Sequence, residues 1–232
     1  MRNFTNVTIR LGSGHARNVV VDSNTVLNTL STAWTQAAIM GCCGDYSGAQ
    51  ITHNLVDGAN YNGIDFHSDG SSGGWINDVT IAQNAVYDTC RTVADCGAIY
   101  LWEPLARSTN ISVRNNIVGN YGQLDNGSKA IYLDDNASNI TVTNNIIDGV
   151  GKWSVQFHGG ARNTFQNNIF DVSAAAGLGA YADTNDETPS DRMADNAFTC
   201  NIVYSEATPQ SHLWDLYLTR SVESLELADN LY

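Results

Sequence analysis

Apolar and polar residues alternate in short bursts along this chain, and one phrase recurs: apolar, polar, any residue, Asn, any residue, apolar. It reads VVVDSNTVLN at 19–28, ITHNLVDG at 51–58, VTIAQNAVYD at 79–88, ISVRNNIVGN at 111–120, ITVTNNIIDG at 140–149, TFQNNIFD at 164–171 and FTCNIVYS at 198–205. The anchoring residues are Asn24, Asn54, Asn84, Asn116, Asn145, Asn168 and Asn201, spaced by 30, 30, 32, 29, 23 and 33. The period of two within each phrase predicts strands. Self-similarity at this spacing predicts a solenoid, a propeller or an array. A propeller blade takes about 40 residues, more than the spacing allows, and the leucine ladder of a leucine-rich repeat is missing. The pattern therefore predicts an all-β fold: a single-stranded parallel β-helix, or solenoid, of about seven coils of 23–33 residues. Its coils would stack about 4.8 Å apart. Asn at one register is expected to form a hydrogen-bonded ladder at a tight turn, a structural role.

A second strand recurs in each coil: QAAIMGCC at 36–43, NGIDFHSD at 62–69, CGAIYLWE at 96–103, KAIYLDD at 129–135, WSVQFHGG at 153–160 and LGAYADT at 178–184. In register, Ile39, Ile64, Ile99, Ile131 and Val155 point inward, as do Phe66, Leu101, Leu133 and Phe157 two residues on. The outward columns read Met40, Asp65, Tyr100, Tyr132, Gln156, Tyr181 and Cys42, His67, Trp102, Asp134, His158, Asp183. An ordinary solvated face would carry Thr, Ser, Lys and Glu. Rings, imidazoles and carboxylates together are the composition of a sugar-binding cleft, so Asp65, His67, Tyr100, Trp102, Tyr132, Gln156, His158 and Asp183 are the candidate substrate-binding residues.

Paired carboxylates suit cleavage of a glycosidic bond, one protonating the leaving oxygen while the other attacks the anomeric carbon or activates water. Glu103 is in register with Asp135 one coil away, which predicts Glu103 and Asp134 roughly 6 Å apart. Such a pair would push one pKa up, as an acid catalyst needs. His158, in the next coil, would orient Asp134 or hold a substrate hydroxyl. Against these stand simpler roles: Asp135, Asp65 and Asp69 as turn formers, and the histidines as hydrogen-bonded structural groups.

Composition narrows the partners. The 232 residues suffice for one domain of ordinary size, and the net charge of −13 disfavours nucleic acid and anionic membranes. The longest apolar runs are too short to cross a bilayer as helices. The five cysteines lack zinc-site spacing. Cys90 and Cys96 flank a short loop compatible with a disulfide, the Cys42–Cys43 pair reads as packing or a strained corner, and buried free thiols are the simplest reading for all five. The chain opens directly in strand-like alternation, which reads as a fragment or as a chain without its leader. Residues 1–205 are assigned to the β-helix. Residues 206–232 break the repeat and are expected to cap its end as a short helix or strand.

ADCGAIY at 94–100, followed by AIYLDDNASNITVTNNIIDG at 130–149, resembles a D-x-G-x-I-Y … G-I-Y-L-D-[DE] pattern of right-handed parallel β-helix proteins of the pectate-lyase-like superfamily. The chain is most similar to β-helix glycoside hydrolases of family 141 and relatives. Cys96 and Ala130 stand where Gly is usual. The resemblance implies a right-handed coil and makes Asp95, with Asp134 or Asp135, catalytic candidates beside Glu103. Asp95 aligns with Gly127, seven residues before Asp134, so it reaches the same place only if the 89–95 loop folds back over the face. The expected function is a secreted or periplasmic glycoside hydrolase acting on a polysaccharide or oligosaccharide, with no cofactor. The alternatives are a polysaccharide lyase and a non-catalytic sugar-binding or adhesin-like β-helix. A lyase would use Ca²⁺ held by Asp65, Asp69 and Asp134, or a base such as Lys129, Arg107 or Tyr132.

Overall fold

The computed structural model describes residues 2–4, 8–12, 14–30, 36–68, 74–122, 127–149, 151–173, 178–182, 193–206, 214–218 and 225–232. Asp69 and Asp183, two of the acids singled out above, lie outside them. The chain is a right-handed parallel β-helix. Three parallel sheets of eight strands each run along it, and a small three-stranded sheet (His15–Arg17, Asp45–Ser47, Ile76–Asn77) adds a fourth side to the first coils. Among the described residues there is no helix.

One sheet carries the columns read from the sequence. Its strands are Ile9–Arg10, Ile39–Cys42, Ile64–His67, Cys96–Trp102, Ser128–Asp134, Trp153–His158, Leu178–Ala182 and Trp214–Leu218. Ile39, Ile64, Ile99, Ile131 and Val155 pair in sequence and are fully buried. The second inward column runs Gly41, Phe66, Leu101, Leu133, Phe157. Gly41 fits the ring beside it, because a Cβ there would lie 2.8 Å from Phe66. One register differs from expectation: His158 pairs with Tyr181 and Gln156 with Gly179, a shift of two residues. A slip of two keeps every side chain on its own face, so alternation alone could not detect it.

The turn between the other two sheets holds the asparagine ladder. Asn116 illustrates the unit. Its Oδ1 accepts from Asn84 N at 2.9 Å and Asn84 Nδ2 at 3.0 Å, while its own Nδ2 donates to Asn145 Oδ1 and to Ile81 O. The residue before each ladder asparagine has positive φ, between +53° and +58° from Ser23 to Asp229. Asn or Asp occupies that corner in several coils, since these residues tolerate the left-handed region best. The ladder runs on to Asn230, whose Oδ1 accepts from Asn201 N at 2.9 Å. With Trp214–Leu218 and Leu225–Ala228 paired in register, the tail assigned as a cap supplies one more coil. Its mixed apolar spacing concealed this.

The expectation of five buried free thiols is corrected. Cys42 is bonded to Cys43 and Cys90 to Cys96, and Cys200 is free and exposed. Stacking brings the Cα atoms of Cys90 and Cys96 to 5.8 Å, within bridging range. Cys200 occupies the positive-φ corner before Asn201, which turns its side chain outward.

Candidate functional site

The outward face of the sheet is not an open solvated surface. Tyr100, Tyr132, His67 and Asp134 are all buried although they point away from the core. They line a cavity of about 550 Å³ together with Cys43, Tyr61, Ser68, Asp95, Trp102, Asp135 and His158. The 88–96 segment closes part of it. The Cys90–Cys96 bond pinches this loop, Cys90 and Cys96 pack with Tyr61 and Val93, and the Tyr61 hydroxyl donates to the Asp95 carbonyl at 3.2 Å. The loop therefore folds back over the face, and Asp95 lines the same cavity as Asp134.

Asp134 and Asp135 both reach the cavity for a backbone reason. In a continuous strand, adjacent side chains point to opposite faces. The strand ends at Asp134, and the next two residues are left-handed, Asp135 at φ +42° and Asn136 at φ +67°. That turn brings the second carboxylate back to the side of the first. The turn-forming and site-forming readings of Asp135 hold together.

Asp134 sits at the centre of a hydrogen-bond network. Its Oδ2 accepts from Tyr100 OH at 2.6 Å, and its Oδ1 lies 2.6 Å from His158 Nδ1 and accepts from Asp135 N at 3.0 Å. Burial works against its charge, but His158, then Tyr100 and Tyr132, outweigh that and hold its pKa below the ordinary aspartate value. Trp102 Nε1 donates to Asp135 Oδ2 at 2.6 Å. His158 Nδ1 also lies 3.5 Å from Asp135 Oδ1, and ligand atoms of Asp134, Asp135 and His158 fall within 4.8 Å of one another.

His67 lines the same cavity two coils before Asp134, with Nε2 2.9 Å from Asp65 Oδ1 but outside hydrogen-bond alignment. Its ring meets Tyr100 and Trp102 edge-on, at centroid distances of 5.1 and 5.5 Å. Burial disfavours its charged form, yet Asp65 and then Asp134 outweigh burial and raise its pKa. The two shifts act in opposite pH directions. The depressed Asp134 contributes stability that is present above 3.8 and lost as pH falls through its folded pKa. The raised His67 contributes stability that is full below 6.5 and lost as pH rises through its folded pKa. Both contributions are present between 3.8 and 6.5. Melting curves from pH 4 to 9 should show the wild-type advantage over His67→Gln shrinking on the alkaline side, and an advantage independent of pH would refute this.

Several expectations need correction. Glu103 does not line the cavity and forms no pair with Asp134 across it. Its carboxylate accepts from the backbone N–H groups of Leu105, Arg107 and Ser108 and from Ser68 Oγ, and so organises the turn after its strand. In-register position did not reveal this, because Glu103 lies just past the strand, where alternation stops governing direction. Asp65 is fully buried, accepts from Asn62 Nδ2 at 2.6 Å and supports His67 without lining the cavity. Gln156 is buried and also absent from the lining.

Sequence reasoning missed Tyr61, Ser68 and Cys43 as lining residues. Tyr61 stands in a connector outside both repeated phrases, and Ser68 directly follows the His67 strand. It also missed the tie between Lys129 and Asp95. Lys129 is buried, its Nζ lies 2.7 Å from Asp95 Oδ1, and it sits 3.7 Å from the Tyr132 ring centroid. Burial lowers its pKa, and Asp95 only partly restores it. Removing one partner of a buried ion pair is costly where it leaves the other charge buried and unpaired. Asp95 is 47 % exposed, so its carboxylate can turn to solvent. Lys129→Met should therefore leave the melting temperature within a few degrees of wild type while weakening whatever the cavity does. A collapse of stability would show the pair to be structural.

No protein-family model, curated protein or solved structure matches this chain. What the fold and the cavity define is a parallel β-helix with an acidic, aromatic-lined pocket on one sheet.

Proposed function

We propose that the protein is a carbohydrate-active β-helix, a glycoside hydrolase that cleaves a polysaccharide or oligosaccharide between carboxylates of this pocket. The observation that carries the reading is the folded-back loop, which lets Asp95 share a cavity with Asp134 and Asp135 among the rings of Tyr61, Tyr100, Trp102 and Tyr132. Rings stack on sugar faces and carboxylates bond hydroxyls. Asp134, held ionised, is suited to the anionic role of attacking or stabilising the oxocarbenium-like centre. Asp95 lines the same cavity with its Oδ1 2.7 Å from Lys129 Nζ, and is assigned as the second, ionised carboxylate, which activates the attacking water or holds a sugar hydroxyl. Kinship with the pectate-lyase-like superfamily and family 141 enzymes belongs to the same proposal, as does secretion, which two disulfides favour. Against a lyase stands the lining itself. Among the described residues it contains no Lys or Arg to neutralise a uronate, and Lys129 behind it is already committed to Asp95.

The test is product analysis on a panel of neutral, amino and uronic-acid polysaccharides, with absorbance at 235 nm followed in parallel. New reducing ends without that absorbance support hydrolysis. A rise in absorbance replaces it with a lyase. Binding without turnover leaves a sugar-binding module.

A further inference from the structure

We infer that the ligand of this pocket is positively charged: a saccharide bearing a free amino group, as in a glucosamine-type unit. The inference rests on the saccharide reading above and adds the substrate class. Four carboxylates stand in or directly behind the cavity, Asp65, Asp95, Asp134 and Asp135, against one ammonium, Lys129, and two imidazoles, His67 and His158. With the imidazoles neutral the group stays negative, even when the ammonium of Lys152, over the Trp153 ring, is counted in. An anionic sugar is repelled, and a neutral one gains nothing from the excess.

A second observation shows what this lining does with an ammonium. Lys129 Nζ is held by the Asp95 carboxylate at 2.7 Å and by the face of Tyr132 at 3.7 Å. That combination of carboxylate and ring recognises an alkylammonium in a partly dry site. A carboxylate and a ring also adjoin on the cavity wall at Asp135 and Trp102, where the indole N–H edge donates to Asp135 Oδ2. Asp135 is 34 % exposed and Asp95 47 %, whereas Asp134 is 8 %. The first two thus offer oxygen to a ligand amine, and Asp134 remains enclosed by its own donors. Ring faces also distinguish an organic ammonium from a hydrated metal ion, which prefers oxygen on all sides.

The experiment is calorimetric titration of the wild-type protein, in EDTA, with β-1,4-linked glucosamine tetramer and its fully N-acetylated counterpart. Turnover of both is followed on the same preparation. The free amine is expected to bind about 10- to 100-fold more tightly. The preference should shrink as salt rises and as pH is raised through the amine's own pKa. Equal or tighter binding of the N-acetylated tetramer, or of a neutral glucan, overturns the inference while leaving the saccharide reading intact. No binding of any oligosaccharide overturns both. Tight binding of Ca²⁺ or Mn²⁺ in a parallel titration without EDTA, blocking the tetramer, overturns it in favour of a cation site at Asp134, Asp135 and His158.

Discussion

Asp134→Asn is expected to lower turnover by about 10²–10⁴-fold while the protein still folds. The substitution keeps the shape of the side chain and its ability to accept from Tyr100 OH, but removes the charge that His158 and both tyrosines surround. Weakening hydrogen bonds to a buried charge costs about 1–3 kcal/mol of stability, a shift in melting temperature that leaves a folded protein to assay. Asp95→Asn should also lower turnover, and Asp95→Glu, which keeps a carboxylate beside Lys129, should retain more activity than Asp95→Asn. Full activity of Asp134→Asn or of Asp95→Asn would dismantle the assignment.

The largest effect on stability is expected from Asn116→Ala. The side chain takes part in four hydrogen bonds to neighbouring coils; its loss leaves Asn84 N without its acceptor and Ile81 O without this donor, while Asn84 Nδ2 keeps Ile51 O and Asn145 Oδ1 keeps the bond from Asn116 N. A buried polar group left unsatisfied costs about 1–3 kcal/mol. Two such groups cost about 2–6 kcal/mol, a large share of the stability of an ordinary domain, about 5–15 kcal/mol. Chemical denaturation should show a loss of at least about 2 kcal/mol, or no folded protein. Asn24→Ala, at the partly exposed start of the ladder, should cost only about 1 kcal/mol, because Asn54 Oδ1 keeps its bond from Asn24 N. Similar losses at the two positions would mean that the ladder contributes little beyond its local turn.

Residues repeated once per coil were legible because each copy reports the same environment. The ladder asparagines and the inward Ile39–Val155 column could be read from spacing alone. The outward column was legible for the same reason, and it led to His67, Trp102, Asp134 and His158. Legibility ended where the chain leaves the repeat. Tyr61 and the Lys129–Asp95 tie depend on connectors of irregular length, and on a disulfide that decides where one loop lies. Glu103 was misjudged just past the end of a strand. Asp135 reached the cavity through a left-handed turn that periodicity does not encode, although its identity as Asp hinted at it.

The column His67, Trp102, Asp134, His158 draws one side chain from each of four successive coils, while the ladder that fixes their register lies at another corner of the solenoid. Register and chemistry are thus inherited separately. A whole coil can be gained or lost by in-frame duplication or deletion, with the asparagines closing ranks, and the pocket would then lengthen, shorten or exchange one wall in a single genetic step. Connectors such as 88–96 can vary in length without disturbing that spine. A lineage built this way would diversify its ligands by editing coils as units, and related chains would be expected to differ by multiples of roughly 23–33 residues.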